Sequence, residues 1–565
     1  MCYTNQTMPP ELGKDKNYFA LTDFRGKRTP FGIKPEDRSR HIYVIGKTGM
    51  GKSTMLENMA IQDIQNGHGI AFIDPHGSTA EKLLDYVPEA RIRDVIYFAP
   101  FDLDHPISFN VMEDVGKDQR HLVASGLMST FKKIWVDAWS ARMEYILTNT
   151  ILALLEYPGS TLLGVNRMLA DKDFRKKVVD NVSDPSVKSF WVDEFAKYTE
   201  RQAAEAVPAI QNKVGQFTAN PLIRNIIGQS KSSFDFRQMM DERKILIVNL
   251  SKGLLGETNA NLLGSMLITK IYLTAMSRAN AGNAELKTLP QFYFFVDEFQ
   301  SFANESFANI LSEARKYKLS LTIAHQYIEQ MSEEVRAAVF GNVGSIISFR
   351  VGPFDAEVLE KVFSPTFLQE NIVNLGKYQM YLTLMIDGVG SPPFSAIGMG
   401  PIQLSTPSLK EEIIKSSRTL WAKPRLKVEA DTLAWYGAKD FDSLGAPVKR
   451  ETVKVFKTPV ESVAPAKPVS PSPIIRRVQP ATPPIAPNIS KETVFIPKPK
   501  TMVPLNFLKS KIPEKSKTGS EKSRADLRAS LEAMMKEEKE AKKIETKPEV
   551  KEIPKDMLEN MLGVK

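Results

Sequence analysis

Residues 46–53 read GKTGMGKS and match the phosphate-binding loop pattern G-x-x-x-x-G-K-[ST] at every fixed position. Residues 41–45 before it form a short apolar run typical of a buried strand, and residues 54–61 after it carry apolar side chains at helical spacing. A strand, a glycine loop and a helix in this order aim backbone N–H groups and a helix N-terminus at a polyphosphate. The sequence therefore predicts a nucleotide site formed by Gly46, Lys47, Thr48, Gly49, Met50, Gly51, Lys52, Ser53 and Thr54.

Two side chains of this loop have specific predicted roles. Lys52 is expected to reach the β- and γ-phosphates, and the Ser53 hydroxyl is expected to ligate Mg²⁺. Glycine is needed in such a loop because a side chain would collide with the phosphates or forbid the backbone dihedrals. The pattern thus predicts a nucleotide triphosphate and Mg²⁺ as ligands.

An acidic pair follows the most hydrophobic predicted strand of the chain, residues 291–296. Asp297 is expected to bind the Mg²⁺ shell, and Glu298 is expected to polarise the attacking water. The alternative is an acidic strand end that only faces solvent. Because a phosphate-binding loop is already present, the pair is better interpreted as the second half of a hydrolysis site.

Asp74 ends another predicted strand, residues 69–73, on the ligand side of a parallel sheet. There it could help hold Mg²⁺ or its waters. It could equally cap the helix that is predicted to begin near Thr79. The sequence leaves these two interpretations of Asp74 open.

The predicted strand 319–324 ends in His325 and Gln326, and the amide of Gln326 is placed to contact the γ-phosphate. A structural capping role is the alternative for Gln326. Arg315 precedes this strand and lies away from the phosphates of its own subunit, so it is a candidate arginine finger for a neighbouring subunit. Surface arginines are common, and composition alone does not support that role.

The composition is that of a globular protein of more than one structural unit: 565 residues, 42% hydrophobic and 25% charged. Cys2 is the only cysteine, which excludes an internal disulfide and a cysteine-based metal site. No apolar run is long enough to span a bilayer, and the N-terminus lacks a signal-peptide pattern. These features predict a cytoplasmic protein with no transmembrane segment of its own.

The net charge of +9 is unevenly distributed, because residues 451–565 hold 23 lysines and arginines against 15 acidic residues. This basic, proline-rich segment is predicted to be disordered, with a short helix near residues 523–543 that binds a protein partner or is merely a charged helix. The region 114–238 is predicted to be an all-α insertion, whose basic residues face either a polyanion or solvent. The predicted domains are an N-terminal lead-in (1–40), the ATPase core (41–113 and 239–450), the insertion (114–238) and the tail (451–565).

Five motifs, taken in order, carry a family resemblance: GKTGMGKST (46–54), AFIDPHG (71–77), FYFFVDEFQ (292–300), SEARKYKLSLTIAHQ (312–326) and SIISFRVG (345–352). Together they resemble the HerA/FtsK superfamily of nucleic-acid-pumping ATPases, and within it the type IV coupling proteins of conjugation (TraG/TraD-like). The similarity covers roughly residues 25–400.

The resemblance implies an α/β fold: a RecA-like P-loop core with a mostly parallel sheet and an all-α insertion between the two nucleotide motifs. It implies a homo-hexameric ring that hydrolyses ATP between subunits and passes DNA through its channel. Type IV secretion membrane components and relaxosome proteins are the implied partners, at the inner face of the membrane. The site roles carry over to Lys52, Ser53, Asp297, Glu298, Gln326, Arg315 and, less securely, Asp74. Many coupling proteins begin with membrane-spanning helices, and this sequence departs from them there.

Three functions are compatible with the sequence. The first is an ATP-driven motor that delivers DNA to a type IV secretion channel. The second is a HerA-type translocase that processes DNA together with a nuclease. The third is a nucleotide-gated docking protein that recruits protein substrates, against which the water-polarising carboxylate of Glu298 argues.

Overall fold

The computed structural model describes residues 13–436, apart from residues 15, 24, 114–115, 305 and 406. The predicted tail, 451–565, and its helix near 523–543 lie outside the described residues. The strands of the described part are β1 (Asn17–Thr22), β2 (Pro30–Ile33), β3 (Ile42–Ile45), β4 (Gly69–Asp74), β5 (Val95–Phe98), β6 (Ile245–Asn249), β7 (Phe292–Val296), β8 (Leu319–His325), β9 (Ser345–Ser348), β10 (Gln379–Thr383), β11 (Met385–Ile386), β12 (Val389–Gly390) and β13 (Phe394–Gly398).

Eleven of these strands form one sheet in the order β2-β1-β13-β10-β9-β3-β8-β7-β4-β6-β5, and β11 pairs with β12 separately. The seven strands from β9 to β5 are all parallel to their neighbours. The remaining four extend the sheet in antiparallel fashion. Parallel strands buried on both faces read as continuous apolar runs, and β7 (FYFFV) is the clearest case. The predicted α/β class with a mostly parallel sheet is confirmed.

Helices cover both faces of the sheet. Within the described residues they are α1 (Pro35–Arg38), α2 (Lys52–Gln65), α3 (Ser78–Leu84), α4 (Arg120–Ile134), α5 (Ala141–Glu156), α6 (Leu163–Ala170), α7 (Lys172–Asn181), α8 (Pro185–Ser189), α9 (Glu200–Ala219), α10 (Pro221–Ile227), α11 (Phe236–Asp241), α12 (Lys252–Leu255), α13 (Glu257–Ser277), α14 (Gly282–Thr288), α15 (Ser306–Glu313), α16 (Glu333–Asn342), α17 (Pro353–Phe363), α18 (Gln369–Val373), α19 (Lys410–Trp421) and α20 (Arg425–Tyr436). Helices α4 to α11 lie between β5 and β6 with no strand among the described residues there, as the insertion prediction requires.

Two hydrophobic cores lie on opposite faces of the sheet, because successive side chains of a strand point to opposite sides. In β3, Tyr43 and Ile45 join the larger core, whereas Ile42 and Val44 join the smaller one. The larger core is continuous with the inserted helices. In particular, α4 packs closely on α13, where a methyl group on Gly126 would lie 2.5 Å from Thr269 Cγ2. The helical insertion is therefore attached to the sheet through apolar contacts of α4.

Two segments at the ends of the described part complete the architecture. Residues 17–33 of the lead-in supply β1 and β2, which complete the antiparallel end of the sheet, with β2 at its edge. The last described helix, α20, packs on the insertion instead of the sheet: the Trp435 ring lies 5.8 Å from that of Phe174, and Arg167 Nη1 donates to the Trp435 carbonyl. The domain boundaries remain a prediction. No helix among the described residues is both long and apolar enough to cross a membrane.

Candidate nucleotide site

The predicted phosphate-binding loop connects β3 to α2 at the carboxyl end of the parallel strands. The neighbouring strands β8 and β9 lead into residues that hold this loop. Gly46 N donates to the carbonyl of His325 at the end of β8 (3.3 Å), and Lys47 N donates to the carbonyl of Arg350, just after β9 (2.8 Å). Gly51 precedes the first turn of α2 with φ +120°, a backbone conformation that favours glycine. The loop therefore presents the helix N-terminus and its free N–H groups to the edge of the sheet.

The Lys52 ammonium is folded back onto this loop. It donates to the carbonyl oxygen of Gly46 at 2.6 Å and approaches that of Lys47 at 3.4 Å. Burial lowers the pKa of Lys52, and the carboxylates of Glu298 and Asp297 oppose that shift. Lys52 thus occupies the loop as an internal cation, in reach of any phosphate that enters it.

Ser53 and Asp297, the two residues predicted to bind Mg²⁺, lie next to each other, and their metal role remains a prediction. Ser53 Oγ donates to Asp297 Oδ2 at 3.1 Å, although the residues are 244 positions apart. Burial and the carboxylates of Glu298 and Asp74 raise the pKa of Asp297 to about 6. A cation at this point would relieve the repulsion, and hydroxyl and carboxylate oxygens are ligands that Mg²⁺ accepts. In the described ranges no group of three or more His, Cys, Asp or Glu residues is arranged to hold a metal ion.

Glu298 follows in a left-handed backbone conformation (φ 47°, ψ 48°), which is unusual for a residue with a side chain and is enriched at functional sites. Its carboxylate accepts hydrogen bonds from the amides of Gln326 and Gln300 and lies 3.9 Å from His76 Nε2. Burial raises the pKa of Glu298, but these partners and the Lys52 charge outweigh it and bring the pKa to about 2. The carboxylate is therefore ionised at neutral pH and able to accept a hydrogen bond from water.

Gln326 connects this carboxylate to the phosphate-binding loop. Its Nε2 donates to Glu298, while its Oε1 accepts from Thr48 Oγ1 at 3.1 Å. β8 lies between β3 and β7 in the sheet, so the end of β8 faces both halves of the site. The Gln326 amide is therefore held by the side chains of Glu298 and Thr48. Its contact with the γ-phosphate remains a prediction.

Asp74 lies beside Asp297, since β4 pairs with β7. Its two carboxylate oxygens accept backbone hydrogen bonds, from His76 N at 2.8 Å and from Ala80 N at 2.9 Å. These bonds fix the turn that leads into α3, which is the capping interpretation of this residue. The metal role of Asp74 remains a prediction.

Replacing Asp74 by alanine is expected to lower the free energy of unfolding by about 1–2 kcal/mol, because two N–H groups lose their acceptors. Since both oxygens are already engaged, we expect the Mg²⁺ concentration needed for nucleotide binding to stay unchanged. Asp184→Ala is the control, because Asp184 also accepts from two backbone N–H groups, those of Ser186 and Val187, at the start of α8. A raised Mg²⁺ requirement in Asp74→Ala alone would establish the metal role instead.

Arg315 is not part of this cluster. It lies in the 3₁₀ turn Ala314–Tyr317, which precedes β8 and therefore stands at the opposite edge of the sheet from the phosphate-binding loop. Its side chain is exposed and makes no ion pair within the described part of the chain. The buried Arg278 fixes this turn by donating to the carbonyls of Tyr317 and Lys318. The position agrees with the prediction that Arg315 does not serve its own subunit's phosphates.

Sequence reasoning missed two partners of Glu298. Gln300 donates to its carboxylate, and His76 faces it across the end of β4. Their positions next to predicted site residues were a usable signal: Gln300 is two residues beyond Glu298, and His76 is two residues beyond Asp74. Both lie at the carboxyl edge of the sheet, where such side chains converge.

Solved structures that this chain resembles include the bacterial conjugative coupling protein TrwBdeltaN70, at 13% identity over 69% of this chain and 91% of that chain, with a TM-score of 0.48. The plasmid coupling protein TrwB in complex with ADP and Mg²⁺ matches at 14% identity, 67% and 89% coverage, and a TM-score of 0.48. VirB4 of Thermoanaerobacter pseudethanolicus matches at 13% identity, 68% and 96% coverage, and a TM-score of 0.45. Among curated proteins, none matches this chain.

The sequence itself gives the decisive comparison. Residues 4–344 match the model of the family described as type IV secretory system conjugative DNA transfer. This range contains the phosphate-binding loop, the helical insertion, the acidic pair and Gln326, and it confirms the resemblance drawn from the motifs. Because the match spans more than half of the chain, this protein belongs to the type IV secretory system conjugative DNA transfer family.

Proposed function

We propose that this protein is an ATP-hydrolysing motor that moves DNA for a type IV secretory system. The observation that carries the proposal is the assembly of Lys52, Ser53, Asp297, Glu298 and Gln326 at one edge of the sheet. A protein that only binds nucleotide needs the loop and the metal ligands. It does not need an ionised carboxylate held by two amides beside them. Membership of a DNA-transfer family identifies DNA as the polymer that the hydrolysis would act on.

The residues divide the work of hydrolysis. Lys52 would exchange the Gly46 carbonyl for phosphate oxygens, and Ser53 with Asp297 would hold Mg²⁺, which neutralises phosphate charge when bound. Glu298 would exchange one amide partner for the attacking water and orient it toward the γ-phosphate. Gln326, bonded to both Thr48 and Glu298, would detect whether that phosphate is present. In the described structure, Lys52 and Glu298 already make the hydrogen bonds that phosphate and water would replace.

The motor is proposed to act as a homo-hexameric ring with a nucleotide at each seam. The support for a shared seam is the position of Arg315, exposed at the edge of the sheet that lies away from its own loop. DNA, the membrane components of the secretory system and relaxosome proteins are the proposed partners, and the tail is proposed to contact a protein partner. The place of action would be the inner face of the membrane.

We expect ATP turnover by the purified protein to rise when DNA is added, and Lys52→Ala to reduce turnover by at least about 100-fold in both conditions. Phosphate release should be measured without DNA, with single-stranded DNA and with double-stranded DNA, and particle mass should be measured in parallel. Turnover that ignores both forms of DNA would contradict the motor and favour the docking protein. Turnover that survives in Lys52→Ala would mean that the predicted loop is not the site.

A further inference from the structure

Lys133 lies near the end of α4, in the helical insertion, but its ammonium group is turned toward the catalytic edge. Nζ donates to the carbonyl of Gln300 at 2.7 Å and to the carbonyl of Ala303. Both carbonyls belong to residues 299–304, the segment that follows Glu298. No carboxylate among the described residues pairs with this ammonium. Burial and the nearby Lys252 charge lower the pKa of Lys133 to about 7.

A half-buried ammonium without a counter-ion is costly, so an apolar side chain would serve better if packing alone were required here. The Lys133 ammonium instead gives the segment two hydrogen-bond donors. One turn earlier on α4, Thr130 Oγ1 accepts a longer bond, 3.4 Å, from Asn304 Nδ2. Thus α4 is hydrogen-bonded to both the start and the end of residues 299–304.

Gln300 continues this connection to the catalytic carboxylate. Its carbonyl accepts from Lys133, and its side-chain amide donates to Glu298 Oε2. Gln300 is therefore the single residue that connects Lys133 of the helical insertion to the Glu298 carboxylate, which is proposed to orient water. Glu298 itself holds a left-handed backbone conformation, which neighbouring contacts must maintain.

At its other side, α4 is anchored in the insertion by aromatic rings. Phe131 and Trp135 pack on Phe217 of α9, with ring centroids 6.4 Å and 5.3 Å apart. These rings flank Lys133 along the helix, so a displacement of the insertion would carry the ammonium with it. Packed cores and helices transmit such displacements because they are close-packed.

We propose that Lys133 is a positioning residue that makes the helical insertion and the Glu298 carboxylate move together, so that DNA acting on the insertion sets the rate of hydrolysis. This inference rests on the proposed function. DNA contact would shift α4, Lys133 would pull the Gln300 carbonyl, and the Gln300 amide would release or reorient Glu298 for water. Lys133 does not touch nucleotide; it acts through Gln300.

The test compares turnover with and without single- and double-stranded DNA in Lys133→Met, which keeps the length of the side chain and removes its donors. We expect the DNA-dependent increase in kcat to fall by about fivefold or more, the lower end of ordinary coupling between sites. The KM for ATP should stay unchanged, because no phosphate contact is lost. Lys133→Arg, which keeps the donors, should restore part of the increase. Lys177→Met, which replaces an exposed lysine of α7 in the same insertion, is the control and should behave as wild type.

Gln300→Ala removes the next bond of the connection and provides a second variant if Lys133→Met lowers the melting temperature severely. The double variant should lose little more DNA-dependent increase than either single variant, because both cut one connection. Wild type that responds to DNA together with an equally responsive Lys133→Met overturns this inference alone. Additive losses in the double variant also overturn it. Wild type that ignores DNA overturns both the inference and the proposed function.

Discussion

Replacing Glu298 by glutamine is expected to reduce ATP turnover by about 10²- to 10⁴-fold while nucleotide binding is retained, because the variant loses water activation and keeps the phosphate-binding loop. In the present structure each carboxylate oxygen accepts one amide N–H, from Gln326 and from Gln300. A glutamine at this position has only one acceptor oxygen, so one of those donors would face another donor. The variant therefore loses both the negative charge and half of its positioning.

Two measurements distinguish loss of turnover from loss of nucleotide binding: phosphate release, and binding of a fluorescent ATP analogue with Mg²⁺. Glu329→Gln is the matched control, since Glu329 is exposed in the turn Ile328–Gln330 shortly after β8 and loses the same charge. We expect the control to turn over ATP at the wild-type rate. If Glu298→Gln abolished nucleotide binding as well, Glu298 would be needed to bind ATP and not only to activate water. If it left turnover intact, another group would activate the water.

The parallel half of the sheet could be predicted because its strands are buried on both faces. Residues 292–296 are five consecutive apolar side chains, a pattern that does not depend on knowing the neighbouring strands. The strands β1 and β13 were not predicted, since their side chains are only partly buried. Such strands become regular only through pairing with their neighbours, and the pairing of β1 with β13 joins residues more than 370 positions apart.

In the candidate site, too, features with a local sequence signal could be predicted, and features that depend on distant residues could not. Asp74 could be interpreted as a cap from sequence alone because its partners are two and six residues away. The contacts of Lys133 with residues 167 and 170 positions away carry no local signal, and helical periodicity places this lysine simply on the surface of an amphipathic helix. Likewise, no sequence pattern indicates the left-handed backbone at Glu298, which its surroundings impose. The turn at Asp74 and the meeting of Ser53 with Asp297 could therefore be expected from motifs, whereas the contacts of Lys133 and the backbone conformation of Glu298 could not.

Replacing Arg315 by alanine is expected to reduce turnover by about 10³-fold or more with nucleotide binding near normal, because an arginine finger stabilises the transition state only. Arg315 cannot serve its own site: β8 alone, seven residues long, separates it from the phosphate edge by about 23 Å. Lys316→Ala is the control, since Lys316 is an equally exposed cation that only pairs with Glu313 at 3.3 Å. Loss of nucleotide binding in Arg315→Ala would contradict the assignment.

Complementation tests directly whether Arg315 acts on a neighbouring subunit. Arg315→Ala and Lys52→Ala should each be inactive alone. Arg315→Ala keeps an intact phosphate-binding loop, and Lys52→Ala keeps an intact Arg315. In a randomly mixed equimolar ring, about a quarter of the seams would join an intact loop to an intact Arg315, so about a quarter of wild-type turnover should return. Both variants must form oligomers of the same mass as wild type for the comparison to hold. A mixture that stays inactive would mean that Arg315 and Lys52 act in the same subunit, and the shared-seam arrangement would have to be given up.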